Sequence, residues 1–222
     1  HIFGTSPKDR LETDLIAALA RVPRGNDTPE NASLQRSVAN DFDLNFDPLD
    51  CKMSDPWTGP KPKTLADLDT STWRTTGDTV ERVELLCTQL IDGKECTNLP
   101  QTTAVLDHIK THIRPTIRTC GPSESHGLLT ALSSQFVPPA PSGAPTRGRM
   151  DVLPTGRNFF SVDSRAVPTP TAWKLGWKSA NLLIERHLQD HGDWPRSLLI
   201  TAWGTANMRT GGDDIAQALA LM

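Results

Sequence analysis

A proline-rich stretch, residues 136–171, constrains the fold of this chain more than any other feature. It contains seven prolines, three glycines and four arginines among 36 residues, and it shows no helical or strand periodicity. Proline fixes one backbone dihedral angle and removes a hydrogen-bond donor, so neither a long helix nor a central strand is expected here. A loop of this length is usually a linker or a functional site, and the pair Phe159-Phe160 is unusual for a linker. We therefore predict a structured site loop.

The sequence on either side of this loop predicts two different architectures. Residues 1–132 are expected to form a mainly helical region, residues 133–171 the Pro/Gly/Arg-rich site loop, and residues 172–222 the start of a truncated α/β domain. The predicted fold class is therefore α+β, a mainly helical N-terminal part followed by the start of an α/β unit. Both ends of the chain look cut, because it begins at His1 and ends at Met222 inside a helical pattern.

Apolar residues recur at helical spacing through much of the first region. Helices are predicted at residues 6–24, 28–42, 78–93, 102–119 and 123–132. Ser6-Pro7 is a typical helix start. Asp78 with Glu81 is expected to form a capping box, and Gly93 to end the same helix. Pro115 is expected to kink the fourth helix, because it removes a backbone hydrogen bond.

A helix, a strand, a glycine-containing loop and a second helix are predicted after the site loop. Thr169-Pro170 supplies a helix cap, and Trp173 and Trp177 are expected on the apolar face of the helix that Gly192 ends. Residues 197–202 are apolar and predict a short buried strand, and the last helix should open at Asp213. In α/β units ligands collect at the carboxyl end of the strand, so the loop of residues 203–212 is a candidate binding site.

Composition excludes several classes of function. The net charge is −3 and the hydrophobic content 36%, so neither a nucleic acid nor a membrane is predicted as a partner. No apolar run approaches the roughly 20 residues that span a bilayer, and no signal peptide is recognisable, so a soluble cytoplasmic protein is expected. The four cysteines form no C-x-x-C pair and predict reduced thiols.

Polar groups in the site loop are candidates for substrate binding. They are Arg147, Arg149, Arg157 and Asn158. Guanidinium groups bind carboxylates in a bidentate manner, and asparagine offers both a donor and an acceptor. The alternative is that these side chains hold the loop to its own carbonyls and carboxylates, which long irregular loops require.

The loop of residues 203–212 offers a second set of candidates. They are Thr205, Arg209, Gly211 and Gly212. Backbone amides, a cationic side chain and the start of the following helix favour an anionic group. The alternative is an ordinary connection in which glycine supplies a positive φ.

Two motifs with metal-site or nucleotide-site spacing are interpreted as structural. His108 and His112 have the spacing of a helical metal-ligand pair, but the sequence offers no third ligand, so a helix flank is the simpler interpretation and no metal site is predicted. The run from Gly176 to Ser179 lacks the glycines of a phosphate loop and lies inside a predicted helix. We therefore expect no ATP site in this chain.

Two long motifs carry a resemblance to a known family. PTGRNFFSVD, residues 154–163, and WGTANMRTGGDDIAQAL, residues 203–219, resemble the large subunit of the aerobic cobaltochelatases, which is related to the magnesium-chelatase large subunit. The resemblance extends more weakly over the whole chain. That subunit is much longer than 222 residues, so the resemblance implies an interior piece of it.

The resemblance implies a function in aerobic cobalamin biosynthesis. Enzymes of this family insert Co²⁺, a substrate, into hydrogenobyrinic acid a,c-diamide, while a separate AAA+ subunit with a companion chelatase subunit uses ATP. The corrin-type ring carries carboxylates and amides, which suits the arginines named above. Ring nitrogens must lose protons during insertion, and Glu124 is the candidate catalytic base. The family is expected to have an aliphatic or small residue at the position of His126, so His126 is not favoured as the base.

Two alternatives stay open at this point. The first is the magnesium-chelatase large subunit, which acts on Mg²⁺ and protoporphyrin IX; the run of residues 159–163 favours the cobalt branch. The second is a non-catalytic tetrapyrrole-binding or scaffold module.

Overall fold

The computed structural model of this chain describes residues 11–24, 28–95, 97–160 and 166–222. The helix start expected at Ser6-Pro7, Cys96 and the end of the PTGRNFFSVD motif, residues 161–163, lie outside these ranges. The chain divides into two compact units, His1–Thr119 and Cys120–Met222. The division expected at residues 132 and 171 stays a prediction.

Helices build the first unit. They are α1 (Leu11–Ala20), α2 (Leu34–Asp41), α3 (Lys63–Ala66), α4 (Thr76–Ile91) and α5 (Pro100–His108), with a 3₁₀ turn at Pro29–Asn31 and a π-helical turn at Ile109–Ile113. The next helix, α6 (Arg114–Leu132), begins in the first unit, and most of its residues belong to the second. Helix α4 packs against α1 and α2, and α2 packs against α5. Buried aliphatic residues such as Ile16, Val38, Val83, Leu86 and Val105 form the core between them.

The start of α4 differs by one turn from the sequence prediction. Thr75, not Asp78, is the N-cap, and its hydroxyl accepts a hydrogen bond from the Asp78 amide at 3.2 Å. The Asp78 carboxylate in turn accepts from the Thr75 amide at 2.7 Å, which completes the capping box. Asp78 is therefore the N3 residue of the box rather than its N-cap.

Two further helix boundaries are corrected. The helix expected at residues 28–42 forms only as α2, capped by Ser33, after the 3₁₀ turn. The helices expected at 102–119 and 123–132 are α5 and α6, with the π-helical turn between them. Pro115 lies just after that turn and cannot donate to the carbonyl of Thr111, which accounts for the locally wider turn. Pro122 lies inside α6 without ending it.

Helices also dominate the second unit. It contains α7 (Pro170–His191), α8 (Gly204–Thr210) and α9 (Asp213–Leu221), and two short strands, β1 (Pro139–Pro141) and β2 (Asn158–Phe160). The strands are parallel, with Ala140 opposite Phe159. They join the beginning of the site loop to the segment at the end of the PTGRN turn.

The strand predicted at residues 197–202 is wrong. The structure shows no strand there, and the Leu199 side chain is 96% exposed. A strand is stable only when neighbouring backbone groups complete its ladder, and in the described ranges the sheet consists of β1 and β2. The α/β unit is therefore not confirmed, and the described chain is mainly helical.

Helix α7 begins and ends where the sequence predicts. The Thr169 hydroxyl accepts a hydrogen bond from the Ala172 amide, and Gly192, with φ +73°, ends the helix. Its buried face differs from the prediction, because small residues rather than Trp173 and Trp177 face inward. A Cβ at Gly176 would lie 2.5 Å from the Ala216 Cβ, so α7 and α9 approach too closely for a larger residue. No described helix is both long and apolar enough to cross a membrane.

Candidate functional site

The PTGRN turn lies directly against α6. Gly156, at φ +89°, approaches the backbone of Ser123 and Glu124 so closely that a Cβ would lie 2.4 Å from the Ser123 carbonyl. On the same helix, a Cβ at Gly127 would lie 2.1 Å from the Gly156 oxygen. Only glycine at both positions permits this approach. The turn and the C-terminal half of α6 therefore form one surface.

The predicted base Glu124 lies on that surface. The Thr155 hydroxyl donates a hydrogen bond to its Oε1. Glu124 is exposed, so a proton acceptor here is accessible. Thr155 is a site residue that the sequence analysis missed, because no local pattern links it to a helix 31 residues earlier.

Arg157 and Asn158 bind backbone carbonyls of their own loop. Arg157 donates from Nε to the Pro154 oxygen at 3.2 Å and from Nη2 to the Leu153 oxygen at 3.3 Å. The Asn158 side chain donates to the Val137 oxygen at 3.1 Å, next to the β1–β2 pair. These contacts are the ones expected if Arg157 and Asn158 hold the loop to its own carbonyl groups. Each side chain keeps unused polar atoms, so their role in ligand binding stays a prediction.

Arg147 and Arg149 bind carboxylates. Arg147 forms an ion pair with Asp213, the first residue of α9. Arg149 binds Asp151 with two hydrogen bonds, at 2.9 and 2.8 Å. These hydrogen bonds, opposed by partial burial, hold the pKa of the Asp151 carboxyl below its ordinary value. The first pair ties the site loop to the last helix of the unit.

The predicted loop of residues 203–212 is largely helical, because α8 occupies most of it. Two glycines with positive φ, Gly211 at +76° and Gly212 at +96°, connect α8 to α9. A Cβ at Gly211 would lie 2.8 Å from the Thr169 side chain, and a Cβ at Gly212 would lie 2.4 Å from that of Val167. The Gly211 carbonyl accepts a hydrogen bond from the Thr169 amide at 2.9 Å. The two glycines thus allow the end of the site loop to pack closely against the α8–α9 connection.

Asn207 holds this connection together and was missed by the sequence analysis. Its buried side chain donates to the Trp203 oxygen at 3.0 Å and to the Asp214 carboxylate at 3.1 Å. The backbone carbonyl of Asn207 accepts hydrogen bonds from the amides of Gly211 and Gly212. An asparagine shortly before a Gly-Gly pair is a signal that could have indicated this role.

Thr205 and Arg209 differ from these residues, because both side chains are exposed on α8. Neither side chain forms a hydrogen bond or ion pair with another described residue. Of the predicted site residues, the structure thus joins Glu124 to the PTGRN turn and Arg147 to α9, and leaves these two accessible. Within the described ranges, no group of three or more His, Cys, Asp or Glu side chains is placed to hold a metal ion.

Comparisons with known proteins agree with the resemblance inferred from the two motifs. The model of the CobN/Magnesium Chelatase family matches residues 1–222. The aerobic cobaltochelatase subunit CobN of Sinorhizobium sp is 60% identical over 242 aligned residues, which cover 100% of this chain and 19% of that protein. The chain therefore spans about a fifth of the length of this curated relative.

A solved structure and a more distant relative complete the comparison. The catalytic subunit of cobaltochelatase from Mycobacterium tuberculosis superposes with a TM-score of 0.68 at 31% identity, covering 99% of this chain and 17% of that one. A magnesium-chelatase subunit of Rhodobacter capsulatus is 42% identical over 99 residues, which are 45% of this chain and 8% of that protein. This chain belongs to the CobN/magnesium chelatase family.

Proposed function

We propose that this chain is part of the substrate-binding subunit of an ATP-dependent cobaltochelatase. The enzyme would insert Co²⁺ into hydrogenobyrinic acid a,c-diamide in the cytoplasm, during aerobic cobalamin biosynthesis. The observation that carries this proposal is the 60% identity to a cobaltochelatase subunit along the whole chain. The magnesium-chelatase match, which covers 45% of the chain, supports the cobalt branch over the magnesium alternative.

In this proposal the arginines of the site loop have two tasks. Arg157 uses its Nε and Nη2 atoms on its own loop, and a guanidinium has five N–H donors, so donors remain for a ring carboxylate. Arg147 and Arg149 are neutralised by Asp213 and Asp151, which suits them to shape the loop. Arg209, outside the loop, pairs with no carboxylate among the described residues and is exposed on α8, so it is the strongest candidate to meet an anionic ring substituent.

Glu124 is the proposed proton acceptor. Metal insertion replaces the protons on ring nitrogens, and a carboxylate within reach of them can accept one. The hydrogen bond from Thr155 fixes the direction of the Glu124 carboxylate relative to the PTGRN turn. Base and turn would then act on the same bound ring.

The energy for insertion would come from partner subunits. We expect an AAA+ ATPase subunit and its companion chelatase subunit to bind the full-length protein, since its relative is named as one subunit of a cobaltochelatase. This chain itself has no phosphate-loop sequence for ATP. Calorimetric titration of the chain with ATP should show no binding in the micromolar range. Binding in that range would contradict this part of the proposal.

Reconstitution of the full-length subunit with its ATPase partners tests the function. Absorbance should report ATP-dependent conversion of hydrogenobyrinic acid a,c-diamide to its cobalt form, and no insertion of Mg²⁺ into protoporphyrin IX. The reverse selectivity would support a magnesium chelatase. Ring binding without insertion of either metal would support a scaffold.

The Glu124→Gln variant tests the base within the same assay. Glutamine keeps an oxygen that accepts from Thr155 but cannot take up a proton at neutral pH. We expect ring binding close to that of the unmodified subunit and insertion slowed by about 100-fold or more. Unchanged insertion would remove Glu124 from the catalytic role.

A further inference from the structure

The C-terminal turn of α7 carries two histidines whose side chains lie side by side. His187 and His191 are four residues apart, and their rings stack with centroids 4.3 Å apart at an interplanar angle of 18°. His187 is half-buried and His191 exposed. Residues at this spacing share one face of a helix, which is how paired histidines bind one metal ion.

A hydrogen bond fixes which nitrogen of His191 is available. Its Nδ1 lies 3.2 Å from the His187 carbonyl oxygen. A carbonyl only accepts hydrogen bonds, so Nδ1 is the protonated nitrogen and, in the neutral ring, Nε2 carries the lone pair. Histidines that bind metals are commonly oriented in this way, by donating the other ring N–H to a carbonyl or carboxylate.

The local field at this end of α7 favours a cation. The helix has 22 residues, and His191 is its last one, where the unpaired carbonyls and the helix dipole present negative charge. In the sequence, Asp190 directly precedes His191 and Asp193 follows it by two residues, and Arg186 offsets the first of these charges through a hydrogen bond to Asp190 at 2.7 Å.

A second pair of histidines in the chain has the same spacing but different charged groups around it. His108 and His112 stack with centroids 4.7 Å apart. The Thr111 hydroxyl donates to the Asp107 oxygen at 2.7 Å, so it must accept from His112 Nδ1, which again leaves Nε2 with the lone pair. This pair is an internal control for the chemistry of two neighbouring imidazoles.

Arg24 distinguishes the second pair. Burial lowers the pKa of Arg24 to about 10, so its guanidinium stays charged at neutral pH. The pKa of His108 is lowered first by its own burial and then by the charge of Arg24. The same charge, offset in part by the carboxylate of Glu30, disfavours a metal ion bound to His108. A cation should therefore prefer the pair on α7.

We propose that His187 and His191 form a binding site for a divalent transition-metal ion, with water as the remaining ligands. Imidazole suits borderline metals such as Co²⁺, Ni²⁺, Zn²⁺ and Cu²⁺. A metal that forms bonds of about 2.1 Å can bind Nε2 of His191 and the His187 ring once the His187 ring rotates about its side-chain bonds. With two protein ligands the ion is held but remains exchangeable, as a metal that must be passed on requires. Its role as a loading site for Co²⁺ rests on the proposed function, whereas metal binding itself does not.

Titration of the untagged chain with CoCl₂ tests the site. Binding is followed by calorimetry and by the paramagnetic shift and broadening of histidine ring signals in NMR spectra. The variants are His191→Gln, and His112→Gln as the matched control. We expect His191→Gln to weaken the tightest Co²⁺ binding by at least ten-fold, the lower limit found when even an outer partner of a metal ligand is removed. His112→Gln should leave that binding unchanged.

Three results would overturn the proposal. One is the absence of Co²⁺ binding to the unmodified chain at millimolar concentration. Another is an equal loss in both variants, which would indicate unselective binding by surface imidazoles. The third is broadening confined to the signals of His108 and His112.

The same variants in the reconstituted full-length enzyme test the loading role. His191→Gln should raise the Co²⁺ concentration that gives half-maximal insertion, with the maximal rate unchanged. An unchanged Co²⁺ dependence would refute the loading role. If the unmodified enzyme inserts no cobalt while the chain still binds Co²⁺ through His191, the proposed function fails and the metal site stands.

Discussion

Replacing Gly127 with alanine should separate the PTGRN turn from α6. The added Cβ would lie 2.1 Å from the Gly156 oxygen, and carbon contacts are most favourable at about 3.5–4.0 Å, so the two backbones must move apart by more than about 1 Å. Overpacking of this kind costs about 1–3 kcal/mol, and the upper part of the range applies because no side chain can rotate away. Alanine gains about 1 kcal/mol in helix propensity. The net loss of stability is then about 1–2 kcal/mol.

Gly121→Ala is the matched control on the same helix. No atom lies within 4 Å of a Cβ at this position, so only the backbone terms remain. Helix propensity favours alanine by about 1 kcal/mol, and Pro122 reduces this gain because proline disfavours the helical conformation of a preceding residue that has a Cβ. The control should therefore be neutral or slightly stabilising.

Equilibrium unfolding in urea measures both variants. With a slope of about 2 kcal/mol per M, Gly127→Ala should lower the midpoint by about 0.5–1 M and Gly121→Ala should not lower it. Hydrogen exchange should show the loss of protection in peptides around Ser123 and Thr155. The reasoning is refuted if Gly127→Ala unfolds at the same urea concentration as the control, or if exchange near Thr155 is unchanged.

Three further predictions concern single side chains. Arg149 lowers the pKa of Asp151, so this pair stabilises the fold above about pH 4 and the effect is lost as the pH falls; Arg149→Gln should reduce the change in the free energy of unfolding between pH 6 and pH 3 by at most about 1 kcal/mol, and an unaltered difference would contradict it. Burial raises the pKa of the Cys87 thiol, so iodoacetamide at pH 8 should label Cys87 only after unfolding, and rapid labelling of the native chain in peptide maps would contradict this. Arg157→Ala should lower stability by about 1 kcal/mol and, if its remaining donors meet a ring carboxylate, should weaken ring binding by the full-length subunit about ten-fold. Arg157→Lys keeps the charge but loses the forked geometry, and an unchanged affinity with a lowered midpoint would exclude Arg157 from the site.

The elements that the sequence predicts well are those whose ends depend on local chemistry. Helix α7 begins at the Thr169 cap and ends at Gly192, as the pattern indicates, because capping involves residues only a few positions apart. The strand expected at residues 197–202 fails for the opposite reason. An apolar run is compatible with a strand, but whether it forms one depends on a partner strand elsewhere in the chain.

The candidate site likewise combines features that local sequence predicts with features that depend on distant residues. The sequence predicts a structured loop at residues 136–171 whose arginines bind substrate or, as the alternative, hold the loop to its own protein. The structure shows Arg147 and Arg157 with partners inside the protein, and substrate binding stays a prediction. The sequence does not indicate that the PTGRN turn packs on α6, because that contact joins residues about 30 positions apart. Gly127 is the one local hint, since glycine in a helix interior costs about 1 kcal/mol and often marks a close packing contact.

The two signature motifs use glycine for the same purpose. Gly156 brings the PTGRN turn onto the backbone of α6, while Gly211 and Gly212 bring the α8–α9 connection onto the residues that end the site loop. Each motif therefore contacts and holds one part of the same long, proline-rich segment. Because proline lacks a backbone N–H, this segment cannot form an extensive hydrogen-bond ladder. A segment held at both places can keep Arg157 and the hydrogen-bond partner of Glu124 in fixed positions, although its described strands pair over only three residues each. Under the proposed function this rigidity would favour binding of a large ring, because each polar contact would then act without a further cost of ordering the loop.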